Sequence, residues 1–110
     1  MVTVIRGRAA ERERLLRSEL ERLTGLLRRL PGIVAVYVFG SAVAGGIHAG
    51  SDLDLFVIRE TDEPYVERIA TLRRELQPRA PVDLFVYTPA EATEGGRFAD
   101  DVLTRGKALW

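Results

Sequence analysis

The chain has 110 residues, 46% of them hydrophobic and 29% charged, the composition of one folded domain with a modest core of its own. Sixteen basic residues balance sixteen acidic ones, so no net field draws the protein to nucleic acid or to an anionic membrane. There is no cysteine and only one histidine, which excludes disulfides and thiolate metal sites and argues against a histidine-rich one. Any bound metal must then be held by carboxylates, which points to magnesium, manganese or calcium.

From about Arg8 to Leu30, the residues Leu16, Leu20, Leu23, Leu27 and Leu30 recur at 4-3-4-3 spacing. This predicts a helix with one apolar stripe and arginine and glutamate on its other faces, stopped by Pro31-Gly32. The stripe lasts two heptads, too short for a coiled-coil seam, and reads as a face packed on the domain's own sheet. Ile33 to Phe39 and Leu53 to Ile58 read as buried strands. The glycine-rich link between them, about thirteen residues, is too short for a full crossover helix, so the two strands are expected to be antiparallel neighbours.

Thr61-Asp62-Glu63-Pro64 offers a cap and a first-turn proline for a helix running to about Leu76, with Val66, Ile69, Ala70 and Leu76 largely on one side. Pro78 and Pro81 bound the turn into a third strand, Val82 to Tyr87. Thr88-Pro89-Ala90-Glu91 is a capping box with proline at the first helical position. That helix should break at Gly95-Gly96, resume through Phe98, Val102 and Leu103, and end at Gly106, leaving Lys107 to Trp110 for a short edge strand. The expected architecture is α/β: a single domain over residues 1–110, with a small mixed sheet flanked by helices. No apolar run approaches the roughly 20 residues needed to span a bilayer, and the N-terminus lacks a signal-peptide core, so the expected location is the cytoplasm.

The chemistry concentrates in VYVFGSAVAGGIHAGSDLDLFV, residues 36–57. Asp52 and Asp54 are two apart in a strand and project to the same face, while Leu53 and Leu55 point the other way. Two carboxylates so placed repel each other, and either share a proton or bind a cation. Alone, such a pair also fits a solvated strand end. Gly40 lets the backbone turn tightly after the first strand, and Ser41 can open a helical turn whose N–H groups and hydroxyl form a phosphate cradle. Alone, Gly-Ser also fits a plain connection. Asp83, near the start of the third strand, brings a third carboxylate to the same edge if that strand lies beside the second. Three carboxylates near a phosphate cradle suit two-metal phosphoryl transfer.

Gly40-Ser41, ten residues, then Asp52-Leu53-Asp54, with Asp83 on a later strand, resembles the DNA polymerase β-like nucleotidyltransferase superfamily. The pattern is most similar to its minimal single-domain members in bacteria and archaea, which pair with helical HEPN-domain proteins as antitoxins of toxin–antitoxin modules. The resemblance runs from about Ile33 to Tyr87. It implies the polymerase β-like fold, with Asp52 and Asp54 holding the magnesium that carries ATP. It also implies that Asp83 completes a second metal site and favours deprotonation of the acceptor hydroxyl, and that Gly40 and Ser41 hold the β- and γ-phosphates. In toxin-pairing members the acceptor would be a tyrosine of the HEPN partner, and the reaction protein adenylylation.

One departure lies in the loop. Ala42 and Ala44 stand where many minimal members carry arginines, so two bidentate phosphate contacts are missing and weaker nucleotide binding is expected. His48, in the same loop, reads as a solvated side chain. Three functions fit these residues: an adenylyltransferase that modifies a HEPN partner, a non-catalytic antitoxin that acts by occlusion, and a small-molecule nucleotidyltransferase. The last usually needs an added helical domain, which 110 residues do not supply. Uncompensated buried carboxylates are costly, and three of them in a pure binder would serve nothing, which favours catalysis. Homo-oligomerisation is left open by the sequence.

Overall fold

Alternation along three strands divides the protein's apolar side chains between two faces of one sheet. The computed structural model describes residues 2–40 and 53–110, with residues 2–8 described by backbone alone. In chain order the elements are α1 (Val2–Leu27), β1 (Ile33–Phe39), β2 (Leu53–Arg59), α2 (Tyr65–Leu76), β3 (Val82–Tyr87), α3 (Pro89–Glu94), α4 (Arg97–Arg105) and β4 (Lys107–Ala108). The sheet order is β3-β2-β1-β4. β1 pairs antiparallel with both β2 and β4, and β2 pairs parallel with β3. The sheet is therefore mixed, and the short link after β1 joins antiparallel neighbours as its length requires.

One face is aliphatic. Val36, Val38, Leu53, Leu55, Val57, Val82, Leu84 and Val86 meet Leu16, Leu23 and Leu27 of α1 and Leu72 and Leu76 of α2. The leucine stripe thus packs on the domain's own sheet. Each of these fully buried leucines contributes about 1.5–3 kcal/mol of transfer free energy. The other face carries the alternate residues, Ala35, Tyr37, Phe39, Phe56, Ile58, Phe85 and Tyr87, and is covered by Ala99, Val102 and Leu103 of α4.

Polar side chains tie the helices to this frame. Glu19 of α1 is 5% exposed and accepts hydrogen bonds from Arg22 Nε at 2.7 Å, Arg22 Nη2 at 2.9 Å and the Arg79 backbone N–H. Arg22 also donates to the Leu76 and Gln77 carbonyls, satisfying oxygens that the end of α2 leaves without helical partners. Arg68 and Arg73 of α2 donate to the carbonyls of Val86 and Val82 on β3, an edge strand. Arg68 also forms a bidentate pair with Glu91 of α3 at 2.7 and 3.2 Å, joining α2 to α3 past that edge.

Two helix details differ from the expectation. α1 ends at Leu27, and Arg28 to Gly32 form turns tightened by Arg29 N–H to Leu26 O and Leu30 N–H to Leu27 O; Pro31-Gly32 therefore follows the helix end by several residues. Pro64 is the N-cap of α2 and not its first helical residue, and the Thr61 hydroxyl accepts from the Glu63 N–H at 3.1 Å without capping the helix. α2 is also rotated from the expected face. Ile69, Leu72 and Leu76 face the sheet, whereas Val66 is 76% exposed and Ala70 is exposed.

The capping box at Thr88 and Glu91 is present in both directions. Its helix breaks at Gly95-Gly96 as expected. Gly95 has φ +77°, a conformation that favours glycine at the break.

Candidate active site

β1 runs into Gly40 beside the strand that carries Asp54, because Phe39 is the register partner of Asp54 in the antiparallel β1–β2 pair. Gly40 has φ +79°, a conformation that favours glycine, and a Cβ at this position would collide with Asp54 Oδ2. The glycine therefore does two things at once. It turns the chain at the end of the strand, and it leaves room for a carboxylate where a side chain would otherwise sit.

The parallel β2–β3 pair sets Asp54 beside Asp83. Neighbouring strands lie about 4.8 Å apart, so these two side chains leave the same face within reach of a common ligand. Leu53, Leu55, Val82 and Leu84 are buried on the aliphatic face, which puts both aspartates on the aromatic face with Phe39, Phe56 and Phe85. Asp54 is half-buried and Asp83 is exposed. Like charges directly opposite each other on adjacent strands are unfavourable, and a cation between them removes the repulsion. Two hard oxygen donor groups beside a glycine-lined notch suit magnesium or manganese, and nothing in the set offers the soft ligands that zinc or copper prefer.

Of the expected site residues, then, Gly40, Asp54 and Asp83 come together. Ser41 and Asp52 lie outside the described residues, as do Ala42, Ala44 and His48. Among the described residues no group of three metal-ligating side chains forms.

Three titratable groups outside this site are shifted by identifiable structural causes. The Arg22 hydrogen bond holds the Glu19 carboxyl below its ordinary range, against the opposing effect of burial. The Arg68 hydrogen bond does the same for Glu91. Burial pushes the Tyr65 hydroxyl up. None of these side chains lies on the strand ends that carry Asp54 and Asp83.

The carboxylates stand on aromatic ground that the Gly-Ser and Asp-x-Asp motifs do not include. Phe39, Phe85 and Phe98 pack with ring centroids 5.1 to 5.6 Å apart, directly along the sheet from the aspartates. The signal was available: Asp54-x-Phe56 and Asp83-x-Phe85 share the same two-residue spacing, which fixes aspartate and phenylalanine to one face.

Comparison with known proteins agrees with this geometry. The family model for "Polymerase beta, Nucleotidyltransferase" matches residues 21–110. Among solved structures, a Sulfolobus solfataricus protein classed as a nucleotidyltransferase aligns at 23% identity with a TM-score of 0.63, covering 94% of this chain and 86% of that one. At this identity the likeness speaks for the fold. Chains from two crystal structures of the toxin–antitoxin MntA–HepT, one of them a mutant, align at TM-scores of 0.49. The mutant is 27% identical over 78% of this chain and 67% of that one, and the other 23% identical over 86% and 71%. No curated protein matches the sequence. With the family model spanning most of the chain, and with the mixed sheet, the Gly40 turn and the Asp54–Asp83 pair in place, this protein belongs to the polymerase β nucleotidyltransferase family.

Proposed function

We propose that the protein transfers AMP from ATP to a hydroxyl group, that of a tyrosine on a HEPN-domain partner, as the antitoxin of a toxin–antitoxin pair in the cytoplasm. The observation that carries the transfer chemistry is the in-register pairing of Asp54 with Asp83 beside Gly40. The partner and its tyrosine rest on the resemblance of the Gly40-Ser41 and Asp52-Leu53-Asp54 pattern to minimal, toxin-pairing members of the family.

In this proposal Asp52, Asp54 and Asp83 would hold magnesium. When bound, the metal neutralises charge on the triphosphate and on the incoming and leaving oxygens. Gly40 and Ser41 accept the β- and γ-phosphates where the backbone turns. The acceptor oxygen forms a bond to the α-phosphorus, the bond from that phosphorus to the β-phosphate bridging oxygen breaks, and pyrophosphate leaves. In this reading Asp83, exposed at the start of β3, favours loss of the acceptor's proton. Family members transfer nucleotides by positioning and charge neutralisation, and rigid strands supply that positioning here.

The test is to incubate the protein with α-labelled ATP, magnesium and a HEPN protein encoded beside it. Label on a partner tyrosine, lost in Asp52→Asn and in Asp83→Asn, is the expected result. A second reading, inhibition by occlusion alone, draws on Ala42 and Ala44, which leave the loop without phosphate-binding arginines. Neutralisation of the toxin that survives both substitutions, with no label transferred, would select it.

A further inference from the structure

Phe98 is 38% exposed, and the rest of its ring is held by other rings. Its centroid lies 5.1 Å from that of Phe85, 5.6 Å from Phe39, 5.9 Å from Phe56 and 6.2 Å from Tyr87. An aromatic ring fixed on one side and open on the other is a stacking surface whose ordering cost has already been met by the fold.

Its location follows from the strand register. Phe85 is two residues beyond Asp83 on the same face of β3, about 6.6 Å along the strand, and Phe39 is the register partner of Asp54. Phe98 therefore sits one row of side chains from the carboxylates, on their side of the sheet. A nucleotide with its α-phosphate at Asp54 and Asp83 carries its base one ribose away, which is the distance of that row. A wide-open depression of about 800 Å³ lies against the ring, lined by Arg97, Phe98, Asp100, Asp101, Thr104 and Arg105 of α4. Asp101 and Arg105 are paired with each other at 3.1 Å, while Arg97, Asp100 and Thr104 bring donors and acceptors to the rim.

We propose that Phe98, seated on Phe39 and Phe85, is the platform on which the nucleobase of the bound nucleotide stacks. This rests on the nucleotidyl-transfer function proposed above and adds where the base is held. It also accounts for Ala42 and Ala44. A phosphate loop without arginines leaves more of the nucleotide's affinity to the base, and stacking on an aromatic ring supplies affinity with little demand on hydrogen-bond pattern.

The experiment compares binding of Mg·ATP with binding of Mg·tripolyphosphate, which has the phosphates and no base. The protein should bind Mg·ATP more tightly than Mg·tripolyphosphate. Phe98→Leu keeps an apolar side chain over the core and should lose about tenfold or more in ATP affinity, with tripolyphosphate affinity unchanged. Phe98→Trp should show emission quenched by ATP and not by tripolyphosphate, against the Trp110 background of the parent protein. ATP binding by Phe98→Leu at the parent affinity, with no quenching in Phe98→Trp, overturns the proposal. Parent-level ATP binding by Phe98→Leu together with lost transfer to the partner tyrosine also overturns it, and assigns the ring to the acceptor. If the parent protein binds neither probe, the nucleotidyl-transfer function itself fails and the stacking platform falls with it.

Discussion

The two faces of the sheet are built from the same strands and do different work. The face under α1 and α2 is aliphatic and closed: Leu23, Leu27, Leu53, Leu55, Val57 and Leu72 are fully buried and carry no titratable group among them. The face under α4 is aromatic and ends in two aspartates, with a half-exposed phenylalanine between core and solvent. Because strand side chains alternate, one register fixes both faces at once. A slip of one residue between β2 and β3 would separate Asp54 from Asp83. The leucines on the aliphatic face therefore fix the register that sets Asp54 beside Asp83.

This division can be broken one face at a time. The largest effect is expected on the aspartate face. If the proposed function holds, Asp83→Asn should lower AMP transfer by at least about a hundredfold, read with labelled ATP and partner, because it removes the negative charge and the basicity that the proposal assigns to this side chain. Its urea midpoint should correspond to a change of less than about 1 kcal/mol, since Asp83 is exposed. A loss of several kcal/mol instead would make Asp83 a structural residue.

On the opposite face the balance should reverse. Leu23→Ala should cost about 2–5 kcal/mol of unfolding free energy, measured by urea denaturation, by opening a cavity at a fully buried position. The folded fraction should keep the parent's specific transfer rate.

Glu19 offers a smaller, pH-dependent test. Its folded carboxyl lies below the ordinary value of 4.5, so its stabilisation is fully present above that pH and is lost as the pH falls through 4.5 toward the folded value. Glu19→Gln should cost roughly 1–3 kcal/mol at neutral pH. Its deficit relative to the parent should shrink below pH 4.5 in thermal melts, and a deficit that stays constant would contradict the role assigned to the carboxylate. The smallest change is expected from Thr88→Ala, which removes one half of the capping box and should cost about 1 kcal/mol by the same melts, with transfer unaffected.

Much of this division is legible in the chain because alternation is a short-range property. The Asp54 and Phe56 spacing, the leucine stripe, the Thr88-Pro89-Ala90-Glu91 box and the Gly95-Gly96 break each depend on a few neighbouring residues, and each appears in the structure. The rotation of α2 was not legible. Val66 and Ala70 are apolar, as Ile69 and Leu72 are, and what places them in solvent is the docking of the helix against α1 and β3, with Arg68 and Arg73 reaching across the edge strand. The aromatic contact of Phe98 with Phe39 and Phe85 joins three distant segments, and only the register of the sheet brings them together. At the site, Gly40 could be read from sequence as a turn. That its missing side chain makes room for the Asp54 carboxylate required the pairing of β1 with β2.

The central claim is that Asp54 and Asp83 form one cation-dependent nucleotide site. Calorimetric titration with a non-hydrolysable ATP analogue, in manganese and then in excess EDTA, tests it without reliance on any partner protein. The account predicts binding in manganese that weakens at least about tenfold in EDTA and, in manganese, by a similar factor in both Asp54→Asn and Asp83→Asn. Binding that is indifferent to the metal and to both substitutions would contradict it.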